Sequence, residues 1–207
     1  QKNLMSHSSD TTSDHPPLPA SNSAYGKLDY WNERFDKEKE FEWLLDYPSL
    51  SPYITASLPP APPKASLSVL LVGCGNSTLS PSMFADGYGS VTSVDYSSTC
   101  IESMKKLYPE NDNFKWVLGD MTDLKEFGDE QFDVVVDKAA MDAIMVEEGD
   151  VWNPSPSVVA AARSMCRAIS RVLKVGGVHM QVSFAQPHFR RKYLLGMHGG
   201  EDGGRTG

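Results

Sequence analysis

At 207 residues the chain has room for one domain with a sizeable core, and hardly for two. A formal charge of −8 argues against a general nucleic-acid binder, which needs a basic face to displace counterions; a basic protein or a small molecule fits as partner. No apolar run approaches membrane-spanning length and the N-terminus lacks a basic-then-apolar signal, so no membrane partner is expected and the cytoplasm is the default location. The three cysteines (Cys74, Cys100, Cys166) form no C-x-x-C pair and lack zinc-type histidine spacing. They read as reduced thiols, with no metal site expected.

Residues 1–24 are rich in Ser, Thr, Asp, His and Pro and read as a disordered tail. From Asp29 the composition changes to D-Y-W-N-E-R-F-D-K-E-K-E-F-E-W-L-L-D-Y. Trp31 and Phe35 lie four apart, and Phe41, Leu44 and Leu45 continue the apolar stripe. This spacing predicts one or two amphipathic helices with Asp29 as N-cap. Prolines 48, 52, 59, 60, 62 and 63 mark 48–66 as a linker that cannot be a long helix.

From Ser66 onward, strands and helices alternate. A strand over 66–72 precedes a short helix near 80–86, with Pro81 in its first turn, and a strand over 91–95. A helix over 99–108 opens on a T-x-x-E capping box, Thr99 and Glu102, and stops at Pro109. Strands at Phe114–Leu118 and Phe132–Val136 follow. A helix over 157–173 carries Val158, Ala162, Met165, Ile169 and Val172 at helical spacing, and Gly176-Gly177 stop it. Val178–Phe184 is the fifth strand. Such alternation means an α/β fold, doubly wound, with a mainly parallel sheet and right-handed crossovers. No strand candidate follows the fifth, and residues 196–207, half of them glycine, read as a second disordered tail. The folded domain is expected at 25–195.

The most informative segment is V-L-L-V-G-C-G-N-S-T at 69–78, followed by V-T-S-V-D ending at Asp95. In a parallel sheet both strand ends open onto the crevice where nucleotide-like ligands bind. Gly73 and Gly75 let the backbone turn sharply and approach a ligand closely. Asp95 is placed to accept from both hydroxyls of a ribose. The dinucleotide fingerprint wants a third small residue for a pyrophosphate; here Thr78 stands in that place and Pro81 follows. A phosphate-free adenosine cofactor, S-adenosylmethionine, therefore fits better than a nicotinamide.

The strings V-L-L-V-G-C-G-N-S-T-L-S, V-T-S-V-D-Y-S-S and F-D-V-V-V-D-K-A-A-M-D-A-I resemble the class I, seven-strand S-adenosylmethionine methyltransferases. Y-W-N-E-R-F, F-E-W-L-L-D-Y, R-V-L-K-V-G-G and A-Q-P-H-F-R resemble the subgroup containing the lysine methyltransferases of translation elongation factor 1 alpha. The likeness runs from about residue 25 to about 193. It implies a Rossmann-like methyltransferase sheet lacking its last two strands, S-adenosyl-L-methionine as cofactor and a protein substrate, elongation factor 1 alpha or a similar protein. Residue by residue, it implies that Gly73 lines the methionine end of the cofactor. Asp95 binds the ribose, Tyr96 lies against the adenine, and Asp120 and Met121 bracket the adenine. Trp31, Phe35 and Trp43 fold over the cofactor as an aromatic lid, with phenylalanine where the subgroup tends to have tyrosine at 35. Lys138 matches a cofactor-contacting lysine.

Physical chemistry agrees with these roles, since aromatic faces attract the cationic sulfonium and a lid excludes water. The bland alternatives stay open: helix-to-sheet packing for the three aromatics, a turn or helix cap for Asp120, a solvated end or an ion pair with Asp137 for Lys138. Many seven-strand lysine methyltransferases resemble one another in an acidic-x-x-aromatic box after the fourth strand, where this chain has D-K-A-A. Asp142 is the candidate base or substrate anchor, against a helix-capping or solvated role. His188 faces the same edge and is a weaker candidate for touching substrate. Three functions are open at this point: a protein-lysine methyltransferase, a small-molecule methyltransferase on the same scaffold, and an inactive cofactor-binding protein.

Overall fold

The computed structural model describes residues 16–58 and 62–196. Of the expected tails, residues 1–15 and 197–207 lie outside the described residues, while Asn22–Gly26 form a short 3-10 helix. Helix α1 spans Leu28–Lys37, with Lys27 as N-cap. Asp29 is therefore not the cap: it sits in the first turn, where a carboxylate complements the positive helix end. Residues 38–46, which carry Phe41, Leu44 and Leu45, form an irregular strap and not a second amphipathic helix.

Helix α2, Tyr47–Ser57, occupies much of the expected linker. Pro48 stands in the first turn, where its missing N–H has no intrahelical partner to lose, and Pro52 forgoes one bond only. Asp46 caps the helix by accepting from the Ser49 N–H at 3.0 Å. Tyr47, Leu50 and Ile54, spaced three and four apart, bury one face, and that burial outweighs the prolines' poor propensity.

The alternating half then follows: β1 Ser68–Val72, α3 Leu79–Ala85, β2 Ser90–Asp95, α4 Ser98–Leu107, β3 Phe114–Leu118 and β4 Phe132–Lys138. After these come a short α5 (Ala140–Met145), a two-residue hairpin of β5 (Gly149–Asp150) and β6 (Asn153–Pro154), α6 Pro156–Val172, β7 Leu173–Val182 and α7 Pro187–Leu194. Two expected signals move. Ser97, not Thr99, caps α4, its hydroxyl accepting from the Cys100 N–H at 3.1 Å, so the helix begins before the T-x-x-E box. Gly176-Gly177 do not stop α6, which ends at Val172. They lie inside β7, where Leu173 pairs with Phe132 and Val178 with Val134, and Gly176 at φ +80° absorbs the register break.

The main sheet runs β3-β2-β1-β4-β7, every pair parallel. Chain order reverses between β1 and β4, and a ligand crevice opens at such a switch point beyond the strands' C-terminal ends. Alternate β1 residues serve the two faces. Val69 and Leu71 join the core with Leu50, Ile54, Met83, Ile101 and Met104; Leu70 and Val72 join Met141, Ala162, Met165 and Ile169. β7 pairs with β4 alone among the described residues, and none of its ten residues is fully buried.

Candidate functional site

The site assembles at the C-terminal ends of β1, β2, β3 and β4. Gly73 and Gly75 adopt φ +55° and +53°, which an L side chain rarely does. A Cβ on Gly73 would lie 2.5 Å from the Ala140 Cβ and 3.3 Å from the Met121 sulfur, so glycine is sterically required there. One on Gly75 would lie 3.6 Å from the Phe35 ring, which covers the turn.

Asp95 is 5% exposed at the end of β2. Its Oδ2 accepts from the Gly75 N–H and its Oδ1 from the Ser97 N–H, each at 2.9 Å. These donors fix the carboxylate and leave further lone pairs on both oxygens. Burial pushes the Asp95 carboxyl up to about 6, while backbone donors pull the other way. Tyr96, 41% exposed, follows directly. Asp120, exposed beyond β3, accepts from the Thr122 N–H and hydroxyl at 2.8 Å each, a side-chain turn that orders the loop beside Met121.

Trp31, Phe35 and Trp43 do come together. Trp31 stacks on Phe35 with centroids 5.5 Å apart and meets Trp43 edge-on at 6.1 Å. Sequence reading missed Tyr25, which touches Trp31 at 5.8 Å and Trp43 at 5.6 Å, and whose carbonyl accepts from the Trp31 indole N–H at 2.7 Å. It also missed Phe184, 6.3 Å from Trp43. Beneath them the Arg34 guanidinium pairs two-pronged with Glu38 at 2.9 and 3.1 Å and lies 5.3 Å from the Trp43 ring.

Lys138 is neither solvated nor paired with Asp137. Its ammonium donates to Glu42 Oε2 at 2.5 Å and to the Trp43 and Leu45 carbonyls at 3.0 and 3.4 Å. Asp137 is fully buried and accepts instead from the Ala140 and Met141 N–H groups and from Gln181, with burial raising it to about 6. Asp142 is tied to the turn that follows β7. Its Oδ1 takes the Ser183 hydroxyl at 2.7 Å and Arg190 at 3.0 and 3.3 Å; its Oδ2 takes the Phe184 N–H at 2.8 Å. A carboxylate with one oxygen saturated and the other engaged is arranged to hold a turn more than to accept a proton. His188 stacks on exposed Trp152 at 6.3 Å and meets Phe189 at a tilt.

Residues 70–180 match a family described as a methyltransferase domain. The mouse EEF1A lysine methyltransferase 4 is 33% identical over 181 residues, covering 86% of this chain and 69% of that protein. The chain belongs to the methyltransferase family. The bovine counterpart is 32% identical over 188 residues (89% of this chain, 71% of it), and the bovine eEF1A lysine and N-terminal methyltransferase 33% over 178 (84% and 24%). Among solved structures, a SAM-dependent methyltransferase from Methanosarcina mazei aligns with a TM-score of 0.52 at 25% identity, covering 73% of this chain and 66% of that one. S-adenosylmethionine is the methyltransferase's cofactor, and the site fits it: a buried carboxylate with lone pairs to spare, a turn without Cβ atoms, and an aromatic cluster above. The described residues form no helix long and apolar enough to cross a membrane.

Proposed function

We propose that this methyltransferase modifies a lysine side chain of a protein, with elongation factor 1 alpha as acceptor. One observation carries the cofactor half of the reading: Asp95, fixed by two backbone donors, stands at the end of β2 beside the glycine turn that Phe35 covers. The acceptor half rests on the relatives, whose names specify a lysine of eEF1A.

S-adenosylmethionine, when bound, supplies an electrophilic methyl group on a sulfonium that is its own leaving group. The chain's residues bind, orient and exclude water. Asp95 would receive the ribose hydroxyls, and Tyr96, Asp120 and Met121 would hold the adenine. Gly73 and Lys138 would line the methionine end. Trp31, Phe35 and Trp43 would offer π-faces to the sulfonium's positive charge. Asp142 serves as an anchor of the acceptor side: through Ser183 and the Phe184 N–H it sets the turn bearing Phe184, which abuts Trp43.

The test is to incubate the chain with labelled S-adenosylmethionine and a cell lysate. A labelled band at the elongation factor's size is expected. Label confined to small molecules would overturn the acceptor, and cofactor binding without any transfer would leave a binding protein. Stabilisation by NAD but not by S-adenosylmethionine would sink the cofactor reading as well. Asp142→Asn should weaken acceptor turnover while leaving cofactor affinity unchanged; unaltered turnover at saturating cofactor removes Asp142 from the site.

A further inference from the structure

Residues 38–46 cross the cofactor crevice without a helix or strand ladder, so the strap is held by individual ties. The Phe41 N–H reaches the Asn76 carbonyl at 3.3 Å, and the Asn76 amide donates to the Glu38 carbonyl at 3.0 Å. Several further polar ties converge on Glu42. Its Oε1 accepts from the Thr78 N–H at 2.6 Å and the Thr78 hydroxyl at 2.7 Å; its Oε2 accepts from the Ser77 hydroxyl at 2.8 Å and the Lys138 ammonium at 2.5 Å. One side chain thus joins the strap to the loop that continues the glycine turn after β1 and to the end of β4, on both sides of the switch point.

Next to it in sequence is Trp43, the residue that roofs the aromatic cluster, and Lys138 also grips the Trp43 carbonyl. Leu44 is held at φ +66°, a left-handed conformation disfavoured for a branched side chain. Such backbone persists only while surrounding contacts enforce it. Polar ties around a strained residue, with no ladder beneath, describe a segment able to open without unpacking the core.

We propose that Glu42 is the latch of this strap, so that cofactor enters and leaves the crevice by breaking the Glu42 contacts to Ser77, Thr78 and Lys138. This rests on the cofactor assignment above. Lys138 is the shared element: its ammonium is committed to Glu42 and the strap carbonyls while the latch is shut, which couples closure to the end of β4. Glu42 is a positioning residue, acting through the strap and Trp43.

The test compares wild type with Glu42→Gln, which keeps the shape but loses the charge, using S-adenosylhomocysteine as probe. Stopped-flow binding followed by tryptophan fluorescence gives both rate constants, and hydrogen exchange of residues 39–45 is measured without ligand. Loss of the charged contacts is expected to raise the dissociation rate about tenfold and to speed strap exchange by a similar factor. Should Glu42→Gln fold poorly, the double variant Ser77→Ala/Thr78→Val cuts the clasp from the other side and should give the same faster release. Unchanged dissociation in a folded variant, or a wild-type strap that exchanges like an unprotected peptide, overturns the latch. Failure of wild type itself to bind the probe overturns instead the cofactor reading, so the two failures are separable.

Discussion

β1 and β7 are strands of the same parallel sheet, and they live in different surroundings. Four of the five β1 residues are buried, between β2 and β4 and between two helical layers. β7 pairs on one side only, its residues are half-buried or exposed, and Val175 is 89% exposed. The cofactor turn grows out of the fully enclosed strand, whereas the Phe184 turn grows out of the open one. Precise placement of backbone N–H groups therefore belongs to the β1 side. The β7 side depends on side-chain ties such as Asp142 with Arg190.

The contrast breaks first at the centre. Leu70→Ala, at a fully buried β1 site, should cost about 2–5 kcal/mol in chemical denaturation, because a cavity opens between strand and helix. Gly73→Ala should follow, losing about 2–4 kcal/mol through the clash with Ala140 and the left-handed φ, and abolishing calorimetric binding of S-adenosylmethionine. Asp95→Asn should weaken that binding by about 2–3 kcal/mol while the fold survives.

A pH series sharpens the same point. Burial raises Asp95 to about 6, so acidification through that value protonates the carboxylate; cofactor affinity should fall below pH 6 in wild type and stay flat in Asp95→Asn. For stability the sign is opposite. Asp95 and Asp137 hold protons in the folded chain that the unfolded chain releases above about pH 4, so their burial costs stability as pH rises through about 6. The smallest effect belongs to the edge: Val175→Ala should change stability by no more than about 0.5 kcal/mol. A loss as large as that of Leu70→Ala would mean that β7 is covered in solution.

Where the sequence was read well, local pattern and burial pointed the same way. β1, apolar and buried from Val69 to Val72, and α6, with Val158, Ala162, Met165, Ile169 and Val172 at helical spacing, fall within a residue or two of expectation. α2 was lost to its prolines, whose cost depends on where in a helix they fall. Aromatic spacing pointed to the roof, but Tyr25 and Phe184 join it from 18 residues before and 141 residues after Trp43, a closeness no local pattern carries. Glu42 stood in plain view in F-E-W, as an acid between two aromatics, with nothing local to distinguish it from a solvated side chain.

The amino-acid sequence by itself determined the alternating strands and helices, the glycine turn and the carboxylate ending β2, since periodicity and glycine's freedom at positive φ act within a few residues. Tertiary structure alone decided which groups those features meet. Lys138 found Glu42 and not Asp137, and Asp142 was claimed by Arg190 and Ser183, because buried charges take whichever partner the packed chain brings within hydrogen-bond reach.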